Sequence, residues 1–303
     1  MVEENKKESQ VLASDQIRVR GHYSGKCPVC GGVFAPSGIK DLLKCGTCGF
    51  VIADMDIAGA DVGKLYGTDY FRGDGYADYA SERPVLEINF KEYLKRIMRE
   101  VGYDHTQKIL FEVGCGFGYF LELSKGFFKK VEGCDISSYA VERATKDFGL
   151  AVREGDFMTL PIDPPVDVLC MWDVLPGMPE PDKVLVRVAS LLPAAGILAI
   201  TMPNIGSKFA KIAGKRWPLI HLPWRLHYFS PETITKLLEK SGFKVVYIES
   251  FNKTRSVREM LYQLLAHKFH RPDWFHTIEH MFFMDMKVSV GFRDEMFIMA
   301  RKP

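Results

Sequence analysis

The chain has 303 residues, of which 47% are hydrophobic and 26% charged, with a formal net charge of +2. This composition excludes general disorder and leaves room for one large domain with a smaller one beside it. The near balance of charge creates no global field towards nucleic acid, and no run approaches the roughly 18 apolar residues of a spanning helix.

The chain begins MVEENKKESQ, which is charged and has no apolar core, unlike a secretory signal. Residues 1–24 are expected to be a flexible N-terminus. Residues 26–49 read KCPVCGGVFAPSGIKDLLKCGTCG. Cys27 and Cys30 form one C-x-x-C pair and Cys45 and Cys48 a second, each followed by a glycine (Gly31, Gly49). Two such pairs can bring four thiolates to one tetrahedral metal, so residues 25–60 are expected to be a ribbon around a structural Zn2+. Four thiolates leave no open position for catalysis at that metal. The loop between the pairs is slightly shorter than usual, and the disulfide alternative has no sign of secretion behind it. Cys115, Cys134 and Cys170 fall in or beside apolar strands as small core residues. Cysteine usage fits a reducing, cytoplasmic setting.

Residues 61–104 form a connector and a helix. The stretch DVGKLYGTDYFRGDGYADYASE is irregular, with aromatic anchors. Over 85–101, Leu86, Phe90, Tyr93, Leu94, Ile97 and Val101 share one helical face, which should pack on the sheet that follows.

Residues 108–118, KILFEVGCGFG, carry the strongest signal. An apolar strand ends in Glu112, and Gly114, Gly116 and Gly118 follow at alternate positions before a helix-like YFLELSK. Such glycines let backbone approach a ligand at the carboxyl edge of a parallel sheet. The dinucleotide pattern is G-x-G-x-x-G; here it is E-x-G-x-G-x-G, and the carboxylate suits a ligand carrying an ammonium group. A second strand, KVEGCDI, ends at Asp135, placed to accept from two ribose hydroxyls. AVREGD ends at Asp156 with Phe157 next, VDVLCMWDVL ends near Trp172 and Asp173, and GILAITMPN forms a fifth strand.

With these elements in order, residues 105–303 resemble a class I S-adenosylmethionine-dependent methyltransferase. The resemblance implies an α/β fold: a Rossmann-like, seven-stranded, mostly parallel sheet with helices on both faces, here carrying a small N-terminal zinc ribbon. It also implies a cofactor site. Glu112, Gly114, Cys115, Gly116 and Gly118 would hold the methionine part and Asp135 the ribose. Ile136 would pack on the adenine, Asp156 and Phe157 would contact its amino group and face, and Trp172 would lie near the sulfonium.

Residues 204–230, NIGSKFAKIAGKRWPLIHLPWRLHYFS, hold five basic residues (Lys208, Lys211, Lys215, Arg216, Arg225), no acidic one and several aromatics. This insertion is expected to be a lid. Ser230 should cap a helix at PETITKLLEKSGF, FKVVYIES forms a sixth strand, residues 256–282 read as helical, and EMFIMARK is the last, antiparallel strand. The run H-L-P-W-R-L-H-Y-F-S-P-E-T resembles a subgroup of these enzymes, some of which also carry a Cys-x-x-Cys ribbon and act on saccharides or other small molecules. Many relatives have a Glu-His pair after the Asp-Val-Leu; this chain has Pro176 and Gly177. The candidates for a general base or catalytic contact are therefore His227, His221, Tyr228 and Asp173.

The leading reading is a methyltransferase acting on a small molecule, a saccharide or another anionic metabolite. One alternative is a nucleic-acid methyltransferase using the ribbon to bind RNA, although residues 31–44 offer only Lys40 and Lys44 against Asp41. The other is a non-catalytic cofactor-binding protein, against which the intact glycine loop argues. Neither the acceptor atom nor the oligomeric state is legible.

Overall fold

The structure is a computed structural model; it describes residues 23, 25–55, 62–269, 271–289 and 291–303. The expected flexible N-terminus lies almost wholly outside the described residues. Three short strands open the fold: β1 (Phe34–Pro36), β2 (Leu42–Cys45) and β3 (Val51–Ala53). Next comes the helix Arg83–Val101, which buries Phe90, Tyr93, Leu94 and Ile97. Ten further strands follow: β4 (Ile109–Val113), β5 (Lys130–Asp135), β6 (Ala151–Glu154), β7 (Val168–Trp172), β8 (Ile197–Pro203), β9 (His227–Tyr228), β10 (Lys244–Phe251), β11 (Thr254–Ser256), β12 (Lys287–Ser289) and β13 (Glu295–Arg301).

The main sheet has seven strands in the order β10-β13-β8-β7-β4-β5-β6. Only β13 runs antiparallel to its neighbours. Strand residues alternate between two cores. Phe111, Leu169, Met171, Leu198, Ile200 and Ile298 face one core, shared with the helices Pro181–Leu191 and Pro231–Lys240. Leu110, Val168, Cys170, Ala199 and Phe297 face the other, shared with the helix Arg83–Val101. A sheet buried on both faces needs such near-continuous apolar strands. Ser230 caps its helix as expected, accepting from Thr233 N–H in a reciprocal box.

The cysteine-rich segment is not an isolated ribbon. Its sheet has the order β1-β2-β3-β9, so its fourth strand comes from the 204–230 insertion. Val51 pairs with Tyr228 and Ile52 with His227, and Ala53 N–H donates to Leu226 O at 2.8 Å. On one side Leu42, Val51 and Ala53 pack with Trp217, Leu219, Leu226 and Tyr228. On the other, Val29, Phe50 and Ile52 join the core that holds Ile234 and Leu237 of the main domain. Of the insertion, expected as a lid, Trp217, Leu219 and residues 226–229 lie buried, several of them against the ribbon. The physical cause is the edge of β3, whose backbone groups need partners.

At the C-terminus the helices Val257–Tyr262 and Pro272–Ile278 are present, and β11 pairs with β12 across them, a ladder the sequence reading lacks.

Candidate functional site

The carboxyl edge of the sheet collects the chemistry. Registered pairing places Glu112 level with Gly133 and Cys170, and Trp172 level with Thr201. Because β13 is antiparallel, its first residue, Glu295, stands at the same edge, opposite Pro203 and Phe251. A cleft opens there, lined among others by Glu112, Gly114, Cys115, Trp172, Asp173 and Lys253. Tyr76 and Tyr79 of the connector and Asn89 and Tyr93 of the helix after it close the opposite wall.

The glycine loop is built tightly. Gly114, Gly116 and Gly118 all have positive φ (67°, 53° and 79°), which side-chain-bearing residues rarely adopt. Gly114 and Cys115 N–H donate to Cys134 O, Gly118 N–H to Cys115 O, and Gly116 N–H to Asp135 Oδ2 at 2.8 Å. A pyrophosphate would find few bare donors here, in agreement with the non-dinucleotide pattern. Asp135 Oδ1 accepts Ser137 N–H at 2.9 Å, so this carboxylate ties the loop to the next helix and keeps lone pairs for a ligand.

Several buried polar atoms at the cleft find no hydrogen-bond partner among the described residues: Glu112 Oε2, Trp172 Nε1, Asp173 Oδ1, Thr201 Oγ1 and Tyr93 OH. Native interiors pair nearly all such atoms, so a cluster of orphans marks a place where a ligand completes the set. Glu112 is 2% exposed, and burial, then the neighbouring Asp135 charge, push its carboxyl well above the ordinary range. Asp173 has a φ of 61°, a strained value for a residue with a side chain. Its Oδ2 accepts from Lys253 Nζ at 2.5 Å. Burial would raise its pKa, but Lys253 and then Arg225 hold it net below the usual range. Lys253 also lies 4.0 Å from Glu295, which pairs with Arg255 at 2.7 Å.

Residues 85–248 match the family model described as a methyltransferase domain. The chain belongs to the methyltransferase-domain family. No curated protein matches it. Among solved structures, this methyltransferase is similar to a protein from Galdieria sulphuraria described as a candidate sarcosine dimethylglycine methyltransferase. That pair has 16% identity and a TM-score of 0.50, with 71% of this chain and 85% of that one covered. It is also similar to a SAM-dependent methyltransferase from Archaeoglobus fulgidus (20% identity, TM-score 0.48, 80% and 100% covered). A third is N-methyltransferase NodS from Bradyrhizobium japonicum, solved with S-adenosylhomocysteine (14% identity, TM-score 0.47, 73% and 88% covered).

The methyltransferase brings together Glu112, Gly114, Cys115, Trp172 and Asp173 at the cleft, with Gly116, Gly118 and Asp135 in the loop behind. Ile136 is half-buried beside them. Asp156 lies past the end of β6, exposed, accepting Met158 N–H. Phe157 is not presented to the cleft: it is buried in the core, with the Arg187 guanidinium over its ring at 5.2 Å. Three of the four catalytic candidates also stand elsewhere. His227 stacks on Phe50 at 5.9 Å, and burial pushes its pKa down to about 4. Tyr228 packs near Trp217 and donates to Arg225 O. His221 packs against Trp224. His227 and Tyr228 are occupied in joining the ribbon to the sheet, and of the four candidates only Asp173 lines the cleft. Sequence reasoning missed Lys253, Thr201 and Asn89, which carry no motif. Glu295 left a readable sign, an acid opening an apolar strand.

The four ribbon sulfurs lie within 4.8 Å of one another. Cys27 and Cys48 Sγ are 3.6 Å apart, and Cys30 and Cys45 Sγ 3.5 Å. Sulfurs about 2.3 Å from a tetrahedral Zn2+ would be about 3.8 Å apart, so the set fits. Gly31 N–H donates to Cys27 O and Gly49 N–H to Cys45 O, giving two matching knuckles.

Among the described residues, no helix is long and apolar enough to cross a membrane.

Proposed function

We propose that this methyltransferase transfers the S-adenosylmethionine methyl group to a small polar acceptor, a saccharide or another anionic metabolite, bound in the cleft between Asp173 and the connector tyrosines. The observation that carries the reading is the buried, unpartnered Glu112 carboxylate beside a glycine loop tied to Asp135. A cationic amine is the ligand group that would relieve Glu112, and the methionine tail of the cofactor supplies one. Asp135 would take the ribose hydroxyls on its remaining lone pairs, with Ile136 and Asp156 further along towards the adenine. Trp172 would line the sulfonium side, its ring already fixed by stacking on Phe297.

The bound cofactor supplies a reactive methyl group, so the protein's task is orientation and exclusion of water. Asp173 Oδ1 faces the cleft bare, able to accept from an acceptor O–H or N–H. Its low basicity suits holding that group in line better than removing its proton. The four cysteines would hold one structural Zn2+, and the division into ribbon (25–60), connector (61–104) and catalytic domain (105–303) remains a proposal about folding units.

Calorimetry tests the cofactor assignment. S-adenosylhomocysteine should bind and NAD should not. Asp135→Ala should weaken binding by about 2–3 kcal/mol, from lost charged hydrogen bonds. Unchanged affinity in that variant would sink the assignment.

A further inference from the structure

The tips of β7, β8 and β13 present one row of side chains to the helix Arg83–Val101. Trp172 is level with Thr201, and Thr201 with Phe297. Side chains alternate along a strand, so Trp172 and Thr201 share the face of Cys170, Ala199 and Phe297. Tyr93 of the helix covers this row, its ring 4.9 Å from that of Trp172 and 5.4 Å from that of Phe297. Asp173 comes next along β7's exit, its N–H donating to Thr201 O at 3.0 Å. Tyr93, Trp172, Asp173 and Thr201 all line the cleft.

Each of the four brings one buried polar atom that finds no partner among the described residues: Tyr93 OH, Trp172 Nε1, Asp173 Oδ1 and Thr201 Oγ1. Their neighbour Asn89 differs. Its amide donates to Val85 O and Thr254 O and accepts Thr254 N–H. The orphans are therefore a patch of the wall and not its general state.

The kinds of atom select the ligand. Trp172 Nε1 can only donate, Asp173 paired with Lys253 can only accept, and the two hydroxyls do either. An ammonium group has no lone pair to offer Trp172. A carboxylate or a phosphate dianion has no proton for Asp173 and meets its charge. No spare cation compensates. Among the described residues the lining holds two carboxylates, Glu112 and Asp173, and one ammonium, Lys253, which already sits on Asp173 at 2.5 Å. Arg96, over the Phe297 ring, pairs with Glu249, and Arg255 pairs with Glu295. A hydroxyl both accepts and donates from one uncharged oxygen, so it completes the donor and the acceptor together.

We propose that Tyr93, Trp172, Asp173 and Thr201 form the acceptor subsite, and that it reads uncharged hydroxyl groups, as on a polyol or a sugar ring. The proposal rests on the methyltransferase reading above and narrows its acceptor. Any acidic group of a larger acceptor lies outside this subsite.

The test is calorimetric titration of glycerol, myo-inositol and methyl glucoside into the full-length zinc-loaded protein, with and without S-adenosylhomocysteine. Acetate, inorganic phosphate, methylammonium and acetamide are titrated in parallel. At least one polyol should bind more tightly than every one of these four. Tyr93→Phe and Thr201→Val keep side-chain shape and remove only the hydroxyl or its equivalent, so each should weaken that polyol about three- to tenfold. S-adenosylhomocysteine affinity should stay within about twofold in both. The ligand-free variants should melt no lower than the wild type, because each loses an unpaired buried group. No polyol binding, tighter binding of a charged probe or of acetamide, or polyol binding equal in wild type and both variants overturns the proposal. So does a lowered melting temperature in both variants with polyol affinity unchanged, which would make the patch a site for bound water only. Failure of the wild type to bind S-adenosylhomocysteine sinks the cofactor reading instead, and the polyol arm without it still decides the subsite.

Discussion

The ribbon–insertion junction and the glycine-loop cleft lie on the same chain and differ in how far they pair buried polar groups: among the described residues the junction leaves His227 Nδ1 without a partner, whereas the cleft leaves five such atoms together. At the junction, backbone groups find partners: β3 pairs with β9, and Leu226 bonds both to Ala53 and to the turn after β7. At the cleft, Glu112, Trp172, Asp173 and Thr201 each keep a buried polar atom with no partner. An orphan of that kind costs about 1–3 kcal/mol in folding. A fold tolerates several together only where something else completes them, so the junction reads as structure and the cleft as function. Histidines follow the same division. His227 is buried against Phe50 in the junction, and among the described residues no histidine lines the cleft.

The largest expected effect tests the junction. Structural zinc contributes about 10–16 kcal/mol in isolated zinc-finger peptides. Elemental analysis should give one zinc per chain. Cys45→Ser should lose it and lower the melting temperature of the whole chain in one transition, because Phe50 and Ile52 share a core with Ile234 and Leu237. A separate, unshifted transition for the catalytic domain would break the comparison by making the ribbon an independent unit.

A smaller effect tests the cleft. Glu112→Gln should weaken S-adenosylhomocysteine by about 1.5–3 kcal/mol, the worth of a charged hydrogen bond, while stabilising the ligand-free protein. The pH dependence follows from the raised pKa of Glu112. A carboxyl raised in the folded state favours folding while protonated, and that contribution is lost as pH rises through its folded pKa. Ligand-free stability should therefore fall as pH rises above the ordinary carboxylate range, less steeply in Glu112→Gln. Glu259, pushed up to about 7 by burial, acts in the same direction and leaves a residual slope. Thermal scans at a series of pH values check this, and an unchanged slope in Glu112→Gln would count against the orphan carboxylate.

The smallest effect separates the two regions. His227 has a lowered pKa, so its contribution is present above about pH 6.5 and is lost as pH falls through about 4. His227→Phe should keep the stack on Phe50, soften acid unfolding and leave methyl transfer nearly unchanged. A large fall in kcat would return His227 to the catalytic candidates.

Much of this was legible in one dimension. Apolar strands, the E-x-G-x-G-x-G loop, Asp135 and the paired cysteines are local patterns, set by backbone conformation and ligand geometry over a few residues. Glu112 could be singled out because a carboxylate at the end of an apolar strand is costly without a partner. What no local pattern carries is which distant segments meet. The open edge of β3 drew in His227 and Tyr228 as a fourth strand, which sets these two candidate bases away from the cleft lining. The antiparallel turn of β13 set Glu295 beside Lys253 and Asp173. The turn at Pro176–Gly177 seats the insertion, taking Leu226 N–H on Pro176 O and leaving no room for a Cβ beside Trp224 O. Those choices are made by hydrogen-bond completion and core packing between segments from tens to more than a hundred residues apart, so only the tertiary structure decided them.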